Sequence, residues 1–151
     1  MLTVFVDADA CPVKDEIYKV AGRHGLEVFV VANTWMRVPP DPKIRLQVVS
    51  DGFDAADDWI VEQADKGDIV VTSDIPLADR CLKKGASVLG STGKPFTEEA
   101  IGDALASREL ATELRALGVR TGPPPFTSKD RSAFLQQLDA TIQKVKRTNK
   151  L

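Results

Sequence analysis

Acidic residues at the ends of two predicted strands are the side chains of this sequence best suited to chemistry. Asp7 and Asp9 follow the apolar run LTVFV (2–6), and Asp74 closely follows DIVVT (68–72). Because strand side chains alternate between faces, Asp7 and Asp9 point the same way if the first strand continues that far. Ligands of open parallel sheets bind beyond the carboxyl ends of the strands, where these acids are predicted to lie. We therefore predict a catalytic site formed by Asp7, Asp9 and Asp74.

The segment 46–65 adds further acids, with six Asp or Glu residues and no Lys or Arg. Two carboxylates about 4 Å apart repel each other by roughly 4 kcal/mol at an effective dielectric constant of 20, so converging acids need protons or a cation. Mg²⁺ and Mn²⁺ prefer oxygen ligands and commonly bind a few carboxylates, waters and substrate phosphate. The pattern therefore predicts a Mg²⁺ or Mn²⁺ site for phosphate chemistry. The candidate metal ligands are Asp7, Asp9, Asp54, Asp57, Asp58 and Asp74.

Structural roles are the alternative for several of these acids. Asp54 is placed to cap the helix that follows it, and Asp57 would then favour the helix dipole. Asp58 fits a solvated helix face, and Asp74 fits a turn. Asp7 and Asp9 are harder to explain in this way, because two acids at the end of a buried strand cost desolvation free energy unless they have a purpose.

Cysteine, histidine and tryptophan residues are predicted to be structural. Cys11 lacks a histidine partner, since the only histidine, His24, lies 13 residues on, roughly 20 Å away along a helix. Cys11 and Cys81 are too few to form a disulfide framework. His24 is predicted at a helix end. Trp35 and Trp59 are expected to pack in the core or in a loop rather than to stack on bases.

Short apolar runs alternate with amphipathic segments along most of the chain. Strands are predicted at 2–6, 27–31, 45–49, 68–72 and 86–90, and helices at 12–23, 54–66, 76–84, 98–117 and 129–147. This alternation predicts an α/β fold, a parallel sheet of four or five strands with helices on both faces. Residues 97–151 are predicted to be a helical extension packed on the core, so that residues 1–151 form a single domain.

The charge balance gives no overall basic field, because the net charge is -2 and the pI is about 5.4. A nucleic-acid partner therefore requires a local basic surface, for which Lys14, Lys129 and Arg131 are the candidates. The loop 118–131, which contains three consecutive prolines, is the candidate docking segment for a protein partner. No apolar run approaches the roughly 20 residues that span a bilayer, and no signal peptide is evident, so we expect a cytoplasmic protein without a membrane partner.

Four segments of the chain resemble the YaiI/YqxD family of uncharacterised bacterial proteins. They are VDADACPVK (6–14), DAADDWIVEQA (54–64), GDIVVTSDIPLA (67–78) and GPPPFTSKDR (122–131). The resemblance runs from about residue 3 to about residue 140. It implies a PIN-like fold, related to the metal-dependent nucleases of the PIN and NYN type.

Those nucleases use an Asp after the first strand, acids on a central helix and an Asp after the fourth strand. By this resemblance, Asp7 matches the first position and Asp74 the last. Asp54, Asp57 or Asp58 matches the helix position, and the spacing alone does not choose among them. The resemblance fixes the fold better than the activity, since no activity is established for the family.

These observations lead to one working hypothesis and two alternatives. The hypothesis is a Mg²⁺- or Mn²⁺-dependent ribonuclease-like enzyme, with RNA as its candidate partner. The first alternative is a phosphatase of the haloacid-dehalogenase type, which also has D-x-D after its first strand. Its acidic metal motif follows the later strands, however, whereas here the acid-rich helix precedes the VTSD segment. The second alternative is a PIN-like module without catalysis that binds RNA or protein.

Overall fold

The computed structural model describes residues 2–8, 11–49, 55–97 and 127–148. Asp9, Asp54, the predicted helix at 98–117 and residues 118–126 of the candidate docking loop lie outside the described residues. Within these ranges, no helix has the length and apolar character that crossing a membrane requires. The strands and helices are β1 Thr3–Asp7, α1 Lys14–His24, β2 Glu27–Ala32, β3 Ile44–Val48, α2 Ala55–Gln63, β4 Ile69–Val71, α3 Ile75–Lys83, β5 Ser87–Leu89 and α4 Ser128–Thr148.

The five strands form one sheet in the order β3-β2-β1-β4-β5, and every neighbouring pair is parallel. The predicted α/β fold with a parallel sheet is therefore confirmed. The chain moves outward from β1 to β3 and then returns to the other side of β1 with β4. Such a reversal of strand order leaves a crevice at the carboxyl ends of the two central strands, here β1 and β4.

The alternating side chains of the strands form a core on each face of the sheet. On one face, Val4 belongs to a buried cluster with Ile17 of α1 and Phe134 of α4. On the other face, Phe5 belongs to a second buried cluster with Ile60 of α2 and residues of α3. Helices therefore cover both faces of the sheet. This confirms the prediction, which followed from the apolar residues at successive strand positions.

Helices α1 and α4 pack side by side on the first face. Gly25 ends α1 in the left-handed conformation, with φ of 67°, which glycine adopts without a steric penalty. His24, a helix-end histidine as predicted, lies with its Nε2 2.6 Å from Asp139 Oδ1 of α4. This hydrogen bond lowers the pKa of the Asp139 carboxyl below its usual value. Lys146 of α4 also donates to the backbone oxygen of His24.

Candidate active site

Asp7 and Thr72 form the centre of the candidate site. Asp7 is the last residue of β1, and Thr72 directly follows β4. The pairing of Val6 with Val71 places Asp7 and Thr72 next to each other on adjacent parallel strands. Thr72 Oγ1 donates a hydrogen bond of 2.9 Å to Asp7 Oδ2. Both residues are buried, with exposed fractions of 9% for Asp7 and 3% for Thr72.

Asp74 is connected to Asp7 through the same hydroxyl group. The backbone N–H of Asp74 donates to Thr72 Oγ1 at 3.0 Å, so this one oxygen joins the Asp7 carboxylate to the backbone of Asp74. Asp74 is also the N-cap of α3, because its Oδ1 accepts from the backbone N–H of Leu77 at 3.0 Å. Its Oδ2 accepts no hydrogen bond from the described residues. Asp74 therefore combines a helix-capping role with a position beside Asp7.

The predicted acids of the central helix lie in the first turn of α2. Asp58 Oδ1 accepts a hydrogen bond of 2.9 Å from Arg80 of α3, and both side chains are largely exposed. Burial raises the pKa of the Cys81 thiol in α3 to about 11, and the nearby Asp57 carboxylate adds to this rise. Asp57 therefore lies close to α3. In the described part of the chain, no three Asp, Glu, His or Cys side chains form a group suited to a metal. Asp57 and Asp58 therefore do not join Asp7 and Asp74 in such a group there.

The predicted phosphate-contacting residues lie at the N-terminal ends of α1 and α4. Lys14 is the first residue of α1, and Lys129 is exposed in the first turn of α4. Arg131 Nη1 donates to the backbone oxygen of Pro12 at 2.6 Å and to Glu16 Oε1 at 3.3 Å. These contacts bring the start of α4 against the start of α1, near the carboxyl end of β1. The three basic candidates thus lie at the same end of the sheet as Asp7, and Arg131 is paired with Glu16.

Glu16 is a residue near the site that sequence reasoning missed. Its side chain is 17% exposed, and its Oε2 is buried without a hydrogen-bond partner among the described residues. An acid in the first turn of a helix is a common dipole-favoured feature, so the sequence offered no signal that distinguished it.

Cys11 lies close enough to Asp7 and Glu16 to be affected by their charges. Burial raises the pKa of the Cys11 thiol, and the carboxylates of Asp7 and Glu16 raise it further, against the opposing effects of the Val13 backbone and Lys14. A thiol with a raised pKa is a poor nucleophile at neutral pH. This agrees with the structural role predicted for Cys11.

A cavity of about 290 Å³ opens beside Asp7, at the carboxyl ends of β1 and β2. In the sequence, Trp35 stands between Thr34 and Met36, which both line this cavity. Its side chain is 75% exposed, so the expectation that Trp35 packs in the core or in a loop is wrong. For Trp59 the same expectation is confirmed, since its ring packs against Phe5 and Phe29 with centroid distances of 6.1 and 5.7 Å. The cavity is lined by Asp7, Ala8, Val31, Ala32, Asn33, Thr34 and Met36.

Comparison with known proteins agrees with the resemblance seen in the sequence. The family described as "Uncharacterized BCR, YaiI/YqxD family" matches residues 5–144. A UPF0178 protein of Rhodopseudomonas palustris (strain BisB18) is 60% identical over 148 residues, which cover 97% of this chain and 96% of the relative. A UPF0178 protein of Caulobacter sp. (strain K31) is 55% identical over 148 residues, which cover 97% of this chain and 98% of the relative. The chain therefore belongs to the YaiI/YqxD family of uncharacterised bacterial proteins.

Proposed function

We propose that this protein is a Mg²⁺- or Mn²⁺-dependent hydrolase of RNA phosphodiesters. The observation that supports this proposal is the buried Asp7 carboxylate, which the Thr72 hydroxyl holds beside Asp74 at the reversal point of the sheet. A structural role alone would be served by an apolar residue at this position, because a buried carboxylate costs desolvation free energy. Asp7 also lies at the carboxyl end of a central strand, and ligands of open parallel sheets commonly bind there.

The oxygen donors of the site fit a hard divalent cation. Mg²⁺ keeps several of its waters and is usually bound through one or two carboxylates together with substrate phosphate. Asp7 and Asp74 supply two such carboxylates, and Asp9 and Asp54 are candidates for more. A bound Mg²⁺ or Mn²⁺ would supply an activated water and stabilise negative charge on the phosphoryl oxygens.

The surrounding residues would orient the carboxylates and attract the substrate. Thr72 fixes the direction of the Asp7 carboxylate, and the contact of Asp74 with the backbone of Leu77 fixes the other acid. Lys14 and Lys129 would attract the phosphate backbone of RNA toward the carboxyl end of β1, where Asp7 lies. They lie at helix N-termini, where the helix dipoles also favour anions.

Calorimetric titration of Mn²⁺ tests the metal site directly. We expect wild type to bind Mn²⁺ and the double variant Asp7→Asn/Asp74→Asn to lose this binding. Asparagine is as good an N-cap as aspartate, so the variant should keep the start of α3. Asp41→Asn is the matched control, because it removes a carboxylate from the exposed loop before β3. A wild type that binds no divalent ion would refute the proposal.

Hydrolysis is tested with a single-stranded RNA labelled at one end. Wild type and Asp41→Asn should cleave it when Mg²⁺ or Mn²⁺ is present and should stop when the ion is chelated. Asp7→Asn should not cleave it under either condition. Metal binding without cleavage of RNA would contradict the proposed reaction while leaving the metal site in place.

A non-catalytic RNA-binding module is the second candidate function. The pair between Asp58 and Arg80 favours it, because this pair engages one of the predicted metal ligands. Such a module should bind RNA with an affinity that falls steeply with salt concentration. Its affinity should be the same in wild type and in Asp7→Asn.

A further inference from the structure

The loop after β2 exposes one large aromatic side chain beside the candidate site. Trp35 is 75% exposed, although a tryptophan ring buries about 150–250 Å² when it is packed. Its neighbours in the chain, Thr34 and Met36, both line the cavity that contains Asp7. The backbone at Trp35 therefore runs along the cavity, and its indole is exposed to solvent close to the candidate site.

The segment that carries Trp35 is fixed to the core by alternate residues. Met36 and Val38 are partly buried and pack against the cluster beneath β1 and β2, whereas Trp35 and Arg37 are exposed. This alternation over 35–38 is typical of an extended segment with one face packed and the other in solvent. The packed residues hold the segment in place, so the indole and the guanidinium face solvent together.

An exposed indole next to an exposed guanidinium suits an unpaired nucleotide. The flat face of an aromatic ring stacks on any nucleobase, and arginine is well matched to a phosphate group. The bases of a duplex are already stacked on one another, so their faces are not open to a protein ring. Unpaired RNA bases, by contrast, are commonly stacked on aromatic side chains.

We propose that Trp35 is a base-stacking platform, assisted by Arg37, which directs single-stranded RNA to the cavity beside Asp7. This inference rests on the proposed function, because it names the substrate of the same site as unpaired RNA. Stacking needs no metal, so binding is measured separately from cleavage.

The test is fluorescence anisotropy of a labelled single-stranded RNA decamer in EDTA, with the same decamer in a duplex as the comparison. Wild type should bind the single strand more tightly than the duplex. Trp35→Ala should raise the Kd for the single strand by about 5- to 150-fold and abolish the preference over the duplex. Trp35→Phe should lie between the two, because it keeps a smaller ring. Val48→Ala is the control, since Val48 is the other large hydrophobic residue exposed in the described part of the chain.

The outcomes separate this inference from the proposed function. If Trp35→Ala binds the single strand within about twofold of wild type, the stacking role is wrong, whether or not the enzyme cleaves RNA. If wild type binds through Trp35 but never cleaves RNA with Mn²⁺ present, the stacking role stands and the proposed hydrolysis fails. If wild type binds no single-stranded RNA, the stacking role is refuted, and the Mn²⁺ titration decides the metal site independently.

Discussion

The hydroxyl group of Thr72 should contribute more to the free energy of unfolding than its methyl group does. Thr72→Val replaces this hydroxyl with a methyl group of similar size. It removes the 2.9 Å hydrogen bond to Asp7 Oδ2 and the acceptor of the 3.0 Å hydrogen bond from the Asp74 backbone. Thr72→Ser is the matched variant, because it keeps the hydroxyl and removes only the methyl group.

The expected magnitudes follow from the burial of Thr72, whose exposed fraction is 3%. A hydrogen bond to a charged group contributes about 1.5–3 kcal/mol and a neutral one about 1 kcal/mol. The added methyl group of valine offsets about 0.8 kcal/mol of this loss. Thr72→Val should therefore lower the free energy of unfolding by about 2–3 kcal/mol. Thr72→Ser should lower it by only about 1 kcal/mol.

Urea denaturation of wild type and both variants measures this difference. The midpoint for Thr72→Val should fall by roughly 1 M, given a urea dependence of about 1–3 kcal/mol per M. If Thr72 only filled space, the order would reverse, because valine is the more apolar residue and serine leaves a cavity. A Thr72→Val protein at least as stable as Thr72→Ser would therefore refute the role assigned to the hydroxyl.

Four further substitutions test α1, α4 and the turn at Gly93 that packs against α4. Phe134→Ala should lower the free energy of unfolding by about 3–5 kcal/mol in urea denaturation, because Phe134 is fully buried. Gly93→Ala should cost about 1–3 kcal/mol, since Gly93 has φ of 87° and a Cβ there would lie 3.0 Å from the α4 backbone. Gly22→Ala in α1, where a Cβ meets nothing within 4 Å, should instead stabilise the fold by about 0.5–1 kcal/mol. The folded-state pKa of Asp139 is lowered by His24, so its stabilising contribution is present above the unfolded-state pKa of about 3.9 and is lost as the pH falls further. Asp139→Asn should therefore lose less stability than wild type between pH 5 and pH 3, measured by urea denaturation at each pH.

The local pattern of the sequence was enough to predict the strands and helices in the described residues. Strands buried on both faces are apolar at successive positions, and runs such as LTVFV (2–6) therefore stand out from the amphipathic segments between them. Pro76 similarly indicated the start of α3, because proline is typical of the first turn of a helix. The N-cap role of Asp74 was not predicted, since Asp74 was expected in a turn or in the catalytic site.

The contacts within the candidate site could not be predicted in the same way. The hydrogen bond between Thr72 and Asp7 joins residues 65 positions apart, and it depends on β4 lying directly beside β1. The pair between Asp58 and Arg80 depends in the same way on how α2 packs against α3. The exposure of Trp35 depends on which alternate residues of its loop meet the core. A pattern along the chain does not contain these choices.

The acids of the candidate site also contribute to the fold, and this decides which substitutions can test its chemistry. Asp74→Ala would remove both a negative charge and the N-cap of α3, and the cap alone is worth about 1 kcal/mol. Asp7→Ala would leave the Thr72 hydroxyl without its present acceptor in a buried position. Asparagine keeps a hydrogen-bond acceptor and nearly the same shape at both positions, while it removes the charge and replaces one oxygen with an NH2 group. Loss of metal binding in the alanine variants could therefore arise from a damaged fold, whereas the same loss in the asparagine variants would arise from the missing charge.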